Sequence, residues 1–270
     1  MNANDYDYLT KFLVESSGLA LGNGKEYLLE ARLMPLAQSF GMSDIPELVV
    51  ELRRGRDPRL STAVTESMTT NETSFFRDVT PFEEMKTQLL PALINARREL
   101  RRLRIWCAAA STGQELYSLL MLIDESFPEL QSWNVEIVGT DIAEKMLKRS
   151  QEAIYSQFEV QRGLTTPLLI KNFQQVPQGW RIKDNLRNRV QWKQQNLLDD
   201  FCHLGPFDLI VCRNVLIYFE VAHKRNVLER MRNQLAQDGN LILGAAESIV
   251  GITDQFERFC ECRSAVYVPR

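Results

Sequence analysis

The sequence predicts an α/β protein in which a doubly wound, mostly parallel sheet follows a small all-α domain. Up to about Met68, apolar residues recur at the three- and four-residue spacing of amphipathic helices. From Arg104 onward, short apolar runs typical of buried strands alternate with segments of helical spacing. The 270 residues are 44% apolar and 25% charged, so the chain can bury a sizeable core.

The N-terminal part predicts a bundle of four helices, because its apolar runs are bounded by residues that start and stop helices. The first helix is expected to end at Gly18 and the second at Gly41, with a kink at Pro35. Ser43 is expected to cap the third helix, and Asp57, which precedes a proline, to open the fourth.

A further helix is predicted between the bundle and the sheet. Thr80, Pro81 and Glu83 fit the T-x-x-E capping box, in which the threonine caps the helix and the glutamate reaches back to its start. Apolar residues at helical spacing then carry this helix toward Leu100.

These changes of pattern predict the domain boundaries. Residues 1–70 form the helical bundle domain, 71–90 the interdomain segment and linking helix, and 91–270 the sheet domain. Within the sheet domain, residues 158–189 break the alternation and contain the turn signal PQG and the short run WRIKD. We therefore expect a small β-subdomain to be inserted there.

The rest of the sheet domain alternates strands with helices. The predicted strands read RIWCA, VEIVGT, VQWKQ, FDLIVC and NLILGA, and the predicted helices span Glu115 to Phe127, Ala143 to Ala153 and Val221 to Ala236. The last stretch, FERFCECRSAVYVPR, has no room for a crossover helix, so its two halves are expected to pair as an antiparallel terminal hairpin.

Composition and charge exclude several classes of function. Five cysteines without CxxC spacing and two histidines predict no metal site, and the cysteines are expected to be mostly buried small hydrophobes. A net charge of −3 argues against a nucleic-acid partner. No apolar run approaches the roughly 20 residues of a membrane span, and the first residues carry no export signal, so we expect no membrane insertion and a cytoplasmic protein.

Candidate ligand-binding residues follow the predicted strands, since ligands of open α/β sheets bind at the carboxyl ends of strands. The segment AAASTGQE follows the first strand; it holds only Gly113, so it is not a dinucleotide fingerprint, but its small side chains allow close approach to a ligand. Asp141 follows the second strand, where a carboxylate suits either the hydroxyls of a ribose or the cap of the next helix. Together they favour an adenosyl ligand.

Four separated segments resemble the CheR family of chemotaxis receptor methyltransferases. They read TTNETSFFRD, RIWCAAASTGQELYSL, EIVGTDI and FDLIVCRNVLIYF, in the order and spacing of that family. The resemblance covers essentially the whole chain. It implies a class I methyltransferase (Rossmann-like) fold that uses S-adenosylmethionine, releases S-adenosylhomocysteine, and methylates glutamate side chains on the cytoplasmic helices of chemoreceptors.

The resemblance also implies a set of cofactor-binding residues. They are Asn71, Thr73, Arg77, Glu115, Asp141, Asn196, Leu197, Arg213 and Asn214. Glu115 is expected to pair with the cofactor's ammonium group, Arg77 with its carboxylate, Asp141 with its ribose and Asn196 with the edge of its adenine. Gln114 departs from the pattern, because many relatives carry an acid there. Without the resemblance, the polar stretch from Asn71 to Arg77 would be interpreted as a solvated linker.

Tyr218 is the catalytic candidate. The family places a tyrosine at this position near the methyl group, where its hydroxyl would orient the incoming carboxylate; the alternative is an aromatic side chain packed against Phe219. Arg97 and Arg98 belong to a cluster that is expected to form a solvated face at a helix C-terminus. The resemblance leaves open whether one of these two reaches the active cleft.

Two surfaces are candidates for the receptor. The basic residues between Arg53 and Arg59 could steer acidic receptor helices. The run Gly179–Ile182 could supply a strand edge for a receptor's C-terminal peptide, with Arg162, Arg181 and Arg187 as donors, or the insert could merely cover the sheet. Two alternative functions remain: a sensory module that binds S-adenosylmethionine without methyl transfer, and a methyltransferase with another acceptor.

Overall fold

The structure, a computed structural model, describes residues 1–22 and 24–270. By its contacts the chain forms two compact units: Met1–Thr70 with Tyr218–Lys224, and Asn71–Ile217 with Arg225–Arg270. Within the described part of the chain, no helix is both long and apolar enough to cross a membrane.

The smaller unit is helical. Its helices are α1 (Ala3–Ser17), α2 (Glu26–Ser39), α3 (Ile45–Arg54) and α4 (Pro58–Met68). Leu9 and Leu13 of α1 are fully buried in the same apolar cluster as Leu29 and Leu33 of α2, as the helical spacing predicts. The predicted four-helix bundle is therefore confirmed.

The helix ends follow the predicted residues with one exception. Gly18 ends α1 in the left-handed region at φ 76°, which glycine adopts without strain. The cap predicted at Ser43 is wrong, because Asp44 is the capping residue and its side chain accepts a hydrogen bond from the Glu47 amide at 2.9 Å. The Ser43 hydroxyl instead donates to the Glu47 carboxylate at 2.9 Å.

The predicted linking helix is present but differs at both ends. It comprises α5 (Thr80–Glu84), a π-helical turn (Met85–Leu89) and α6 (Leu90–Ala96). The predicted capping box is wrong, because Val79 is the capping residue, at φ 43°, and Thr80 already lies in the first turn. The helix ends at Ala96, before Leu100. The chain then forms a turn, in which the Arg101 amide donates to the Arg97 carbonyl at 2.8 Å.

The larger unit contains two sheets and the helices that connect their strands. The strands are β1 (Arg102–Ala108), β2 (Asn134–Asp141), β3 (Ile154–Tyr155), β4 (Phe173–Val176), β5 (Gly179–Ile182), β6 (Val190–Gln194), β7 (Phe207–Cys212), β8 (Leu235–Leu243), β9 (Phe256–Arg258) and β10 (Val266–Pro269). The remaining α-helices are α7 (Gln114–Ser126), α8 (Glu144–Glu152), α9 (Gln157–Gln161), α10 (Thr166–Asn172), α11 (Asp184–Arg187) and α12 (Val221–Asn233). Short 3₁₀ turns lie at Pro128–Ser132, Cys202–Leu204 and Leu216–Tyr218.

The main sheet has the strand order β6-β2-β1-β7-β8-β10-β9. The pairs β6–β2, β2–β1, β1–β7 and β7–β8 are parallel, whereas β10 is antiparallel to β8 and to β9. This is the predicted doubly wound sheet with an antiparallel terminal hairpin. Because β1 lies between β2 and β7, the strand order reverses there, which is where such sheets bind ligands.

Burial of the central strand β1 on both faces explains why an apolar run predicts a strand. In β1 every residue from Ile105 to Ala108 is buried, because helices cover both faces of a parallel sheet. Trp106 is fully buried, with ring centroids 5.1 Å from Phe201 and 5.5 Å from Phe207. Its indole N–H donates to Thr140 Oγ1 at 2.9 Å, so its polar group is satisfied.

The insert forms its own antiparallel sheet of order β3-β5-β4, joined by short helices. The prediction that Gly179–Ile182 supplies a free edge is wrong, because this segment is the central strand β5 and both of its sides are occupied. Its partner β3 comprises only Ile154 and Tyr155, which is too short for its sequence to mark it as a strand. The edges of this sheet are β3 and β4.

Arg97 lies near the amino end of β7, away from the carboxyl ends of the strands. Its Nε donates to Asp208 at 2.7 Å, and its other guanidinium nitrogens donate to both oxygens of Asp238. Asp208 also accepts the Arg104 amide at 2.7 Å. The resemblance left open whether Arg97 or Arg98 reaches the active cleft; the ion pairs hold the Arg97 guanidinium near the amino end of β7, and Arg98 is exposed.

We expect Arg97→Ala to lower the free energy of unfolding by about 3 kcal/mol, because removal of one partner leaves the carboxylate of Asp208 buried without its cation. The matched control is Lys171→Ala, which breaks an exposed ion pair with Glu125 and is expected to cost less than about 1 kcal/mol. Urea denaturation of both variants measures the difference. Equal losses would show that the Arg97 pair contributes no more than a surface pair.

Candidate functional site

The loop after β1 is held in an unusual backbone conformation. Ala109, Ser111 and Gly113 have φ angles of 54°, 52° and 91°, so the loop alternates between left-handed and ordinary residues before α7 begins. The Ala110 amide donates to the Thr140 carbonyl at 2.8 Å. The Ser111 amide donates to Asp141 Oδ2 at 2.8 Å, and the Ser111 hydroxyl donates to the Asn71 carbonyl at 2.8 Å. These bonds join the loop to the end of β2 and to the segment that begins at Asn71.

Asp141 is the residue that organises the end of β2. It is 4% exposed, and its Oδ1 accepts the Ala143 amide at 2.9 Å while its Oδ2 accepts Ser111. Asp141 therefore binds the main chain of both loops, but it is not the cap of α8, because Ala143 is the capping residue of that helix and no side chain caps it. A carboxylate has about four acceptor positions, so one side chain can accept from several donors at once.

Arg213 is the centre of charge at the end of β7. Its side chain is 1% exposed and forms an ion pair with Glu115 of α7. Its second terminal nitrogen donates to Asp78 at 2.7 Å and to the Arg77 carbonyl at 3.2 Å. Its Nε is buried and has no hydrogen-bond partner within the described residues. Two predicted residues, Glu115 and Arg213, are therefore in direct contact.

The segment from Asn71 to Asp78 packs into the larger unit, so it is not a solvated linker. Phe75 is buried, with its ring 5.0 Å from that of Tyr155 in β3 and 5.6 Å from that of Phe173 in β4. The Phe76 amide donates to the Ser118 hydroxyl of α7 at 2.9 Å. Within this segment Thr73 and Arg77 are half-buried.

Arg77 has a local partner. Its guanidinium donates to the Glu72 carbonyl at 3.0 Å, and the Glu72 carboxylate pairs with Arg162 of the insert at 2.7 Å. Gln114, where relatives carry an acid, is 2% exposed and its side-chain oxygen accepts the Thr112 hydroxyl at 2.7 Å. Gln114 is thus part of the loop's internal bonding.

Asn196 and Leu197 lie beside Asp141. Gln194, the last residue of β6, is opposite Asp141 in the sheet, and the Gln195 amide donates to the Asp141 carbonyl at 2.9 Å. The Asn196 side-chain oxygen accepts the Leu198 amide at 3.0 Å, and Leu197 is 5% exposed.

Arg230 of α12 holds this loop and was missed by sequence reasoning. Its guanidinium donates to the Leu197 carbonyl at 2.6 Å and to the Asp199 carbonyl, and it lies 4.6 Å from the centre of the Phe201 ring. Nothing in the sequence around Arg230 distinguishes it from the other basic residues of that helix.

Asn214 and Tyr218 follow β7 in the motif CRNVLIY. Asn214 has φ 60°, and its amide donates to the Glu247 carboxylate at 2.8 Å. Tyr218 belongs by its contacts to the helical unit, where its carbonyl accepts the Ala20 amide at 2.8 Å and its side chain packs against the helical core. The catalytic role of Tyr218 stays a prediction.

The cysteines behave largely as the sequence predicts. Cys107 in β1 and Cys212 in β7 are buried, and burial raises the pKa of both thiols well above the usual value, with the nearby carboxylate of Glu115 adding to the effect. Cys262 is also buried, whereas Cys202 and Cys260 are exposed. No group of three or more metal-ligating side chains occurs among the residues that the structure describes.

The assembled residues fit S-adenosylmethionine in their chemistry. Carboxylates suit its ammonium group and its ribose hydroxyls, while a guanidinium with a buried, unpartnered N–H suits a carboxylate. Carboxylates, the guanidinium and the apolar Leu197 come together at the carboxyl ends of β1, β2, β6 and β7. Glu115, Asp141 and Arg213 make these contacts themselves; Asn71 and Arg77 join them through their carbonyls, and Asn196, Leu197 and Asn214 follow β6 and β7. Thr73 lies in the same segment as Asn71 and Arg77, and cofactor binding by all of these residues stays a prediction.

Comparison with known proteins gives one consistent result. Residues 4–69 match the family model "CheR methyltransferase, all-alpha domain", and residues 71–266 match "CheR methyltransferase, SAM binding domain". The chain is 40% identical over 258 residues to the "Chemotaxis protein methyltransferase 1" of Pseudomonas aeruginosa, covering 94% of this chain and 93% of that protein. It is 38% identical over 256 residues to the "Chemotaxis protein methyltransferase" of Vibrio parahaemolyticus, covering 94% and 92%.

We expect Asp141→Ala to weaken the binding of S-adenosylhomocysteine by about 1–3 kcal/mol, because the ligand's hydroxyls would lose a charged acceptor. Calorimetry with S-adenosylhomocysteine and with its 2′-deoxy analogue separates a direct contact from a loosened Ser111 loop. A direct contact predicts that the wild type prefers the ribose form and that the variant does not. The same preference in a folded variant would remove Asp141 from the ribose site.

Proposed function

This chain belongs to the CheR methyltransferase family, and we propose that it transfers the methyl group of S-adenosylmethionine to glutamate side chains of chemoreceptors, forming methyl esters. The observation that carries the proposal is the convergence of Glu115, Asp141 and Arg213 at the ends of adjoining strands, inside the domain that this family uses for S-adenosylmethionine. Transfer of this kind adjusts receptor signalling, and it would take place in the cytoplasm, on the cytoplasmic helices of the receptors.

Bound S-adenosylmethionine supplies a methyl group on a positively charged sulfur, which is a good leaving group. The chemistry asked of the protein is modest, because a glutamate side chain has a pKa near about 4.3 and is already an anion at neutral pH. No general base is needed. The protein must remove water from the carboxylate and hold one of its oxygens in line with the methyl group.

We assign the roles of the cofactor residues from their charges. Glu115 pairs with the ammonium group of the cofactor. Arg77 and the unpartnered Nε–H of Arg213 bind the carboxylate of the cofactor. Asp141 accepts from the ribose hydroxyls, and Asn196 with Leu197 lies along the adenine. The other proposed cofactor contacts are Asn71, Thr73 and Asn214. The pairing of Arg213 with Glu115 supports these roles, because it fixes the Glu115 carboxylate before a ligand arrives.

Tyr218 is the residue we assign to the acceptor. Its hydroxyl donates a hydrogen bond to one oxygen of the receptor carboxylate and leaves the other oxygen to attack the methyl group. Support for this role is the position of Tyr218 at the end of the CRNVLIY segment, four residues after Asn214.

We further propose that the chain divides its work among residues 1–70, the segment 71–90 and residues 91–270, with the helical domain steering the receptor. In its basic cluster, Arg54 pairs with Glu51, and Arg59 forms two hydrogen bonds with Asp57. Arg53 and Arg56 are exposed, and neither forms an ion pair within the described residues, although Arg53 donates to the Asn4 carbonyl at 3.5 Å and lies 4.4 Å from the centre of the Tyr8 ring. These two cations are therefore the ones offered to an acidic helix.

The proposed reaction predicts a base-labile label. Wild-type protein is incubated with methyl-labelled S-adenosylmethionine and receptor-containing membranes, and the labelled receptor band is treated with base. Release of volatile methanol is expected, because esters hydrolyse and methylated amines do not. Label that resists base excludes glutamate esters, and absence of label with intact cofactor binding favours a sensory module.

We expect Tyr218→Phe to lower kcat without lowering the affinity for S-adenosylhomocysteine. The hydroxyl is proposed to bind the acceptor carboxylate, and a phenyl ring preserves the packing. The loss expected for one oriented hydrogen bond is roughly 10- to 100-fold in kcat. Steady-state kinetics and calorimetry on the same preparation measure both quantities. A parallel loss of cofactor affinity would place Tyr218 on the cofactor side instead.

We also propose that the insert captures the C-terminal peptide of a receptor by strand addition, now at the edge strand β4. Gln174 and Gln175 of β4 are exposed, and strand addition needs a free edge of this kind. Arg181 is the available donor, because its Nε is buried without a partner within the described residues. The other two candidates are already paired, Arg162 with Glu72 and Arg187 with Asp184.

Docking at β4 predicts that receptor C-terminal pentapeptides bind the wild type and not a variant that lacks residues 176–179. Calorimetry with S-adenosylhomocysteine serves as the folding control for the deletion. Absence of peptide binding by the wild type at high micromolar concentration would show that the insert only covers the sheet, and the exposed arginines of the helical domain would be mutated next.

A further inference from the structure

Glu247 is a buried carboxylate whose hydrogen bonds, within the described residues, come from main-chain amides. It is 7% exposed and lies in the turn after β8, next to the end of β7. Its Oε2 accepts the amides of Gly244 at 2.6 Å and Asn214 at 2.8 Å, and its Oε1 accepts those of Val215 at 3.0 Å and Ile217 at 3.2 Å. One side chain thus satisfies four amides, three of them in the segment that connects β7 to Tyr218.

This arrangement leaves no room for a side chain at Gly244. A Cβ atom there would lie 2.7 Å from Glu247 Oε2, 2.8 Å from Asn214 Nδ2 and 2.9 Å from the Asn214 amide nitrogen. Distances below about 3 Å force the neighbours to shift. Gly244 is therefore the place where the contact can be disturbed while the carboxylate is kept.

Arg213 is anchored independently of Glu247. Its guanidinium is held by Glu115, Asp78 and the Arg77 carbonyl, whereas Glu247 binds the amides of residues that follow Arg213. Loss of Glu247 should accordingly loosen the chain beyond Arg213 and leave the Arg213 ion pairs in place.

We propose that Glu247 is a positioning residue for methyl transfer: its carboxylate fixes residues 214–217, which contain the proposed cofactor contact Asn214 and lead directly into Tyr218. Asn214 has φ 60°, in the left-handed region that asparagine adopts more readily than most residues, so bonds to the following amides are needed to keep this turn in one conformation. The Glu247 bonds provide that hold. This inference rests on the proposed function for its effect on turnover, but the fixing of the segment does not depend on it.

The test compares Glu247→Gln with the matched control Glu84→Gln. Glu84 is equally buried, at 7% exposure, and also accepts main-chain amides, from Arg263 at 2.6 Å and Ser264 at 3.1 Å, but it serves the C-terminal hairpin. Glutamine keeps the size of the side chain and replaces one acceptor oxygen by a donor, which must then face two amides. Gly244→Ala is the second variant, because it displaces the carboxylate without removing it.

For Glu247→Gln and Gly244→Ala we expect faster hydrogen exchange at residues 214–217, which Glu84→Gln leaves unchanged. We expect kcat to fall roughly 10- to 100-fold in both, a larger factor than any rise in the Kd of S-adenosylhomocysteine, because Asn214 is only one of the nine proposed cofactor contacts. Unchanged exchange at residues 214–217, or a kcat no lower than that of Glu84→Gln, overturns the inference. If the wild type methylates no receptor, the proposed function fails, while the exchange rates still decide whether Glu247 fixes the segment.

Discussion

The buried guanidinium of Arg213 is the constraint on which the arrangement of the site depends. A cation that is 1% exposed has to be neutralised, because an unpaired charge in that position costs several kcal/mol. Its partners come from two separate parts of the chain: Glu115 from the helix after β1, and Asp78 with the Arg77 carbonyl from the segment before the linking helix. One charge on the central sheet therefore determines where both of these parts lie.

The loops around this charge are ordered by side chains that bind the main chain. Residues beyond the end of a strand lose their ladder partners, yet their buried amides and carbonyls still need hydrogen bonds. Asp141 supplies acceptors to the loops after β1 and β2, Glu247 to the loop after β7, and Arg230 supplies donors to the loop after β6. The rigidity of the site thus comes from a few ionic groups rather than from regular secondary structure.

The sequence was informative where burial determines the pattern. Both ends of the strands FDLIVC and VQWKQ were predicted correctly, because their composition and the turn signals around them are typical of strands. Helix caps were less predictable, since Ser43 and Asp44 are both good caps and only the backbone decides between them. The register of the insert could not be predicted, because β3 has two residues and its pairing with β5 depends on the tertiary fold.

Among the site residues, Asp141 could be predicted from the sequence and Glu247 could not. Asp141 was identified because an acid directly after a buried strand is a recognisable signal. Glu247 carries the same signal after NLILGA but stands four residues beyond the strand, so it was passed over. Arg230 acts from the middle of a helix, and its contact with the Leu197 carbonyl exists only through the packing of that helix.

The two edge strands of the main sheet, β6 and β9, disfavour pairing with a strand of another copy. One edge strand, β6, exposes Gln191, Lys193 and Gln194, and the other, β9, has only three residues, of which Glu257 and Arg258 are exposed. Short edges with charged side chains are poor templates for another copy's strand. Self-association of two copies through the edges of the main sheet is thereby disfavoured.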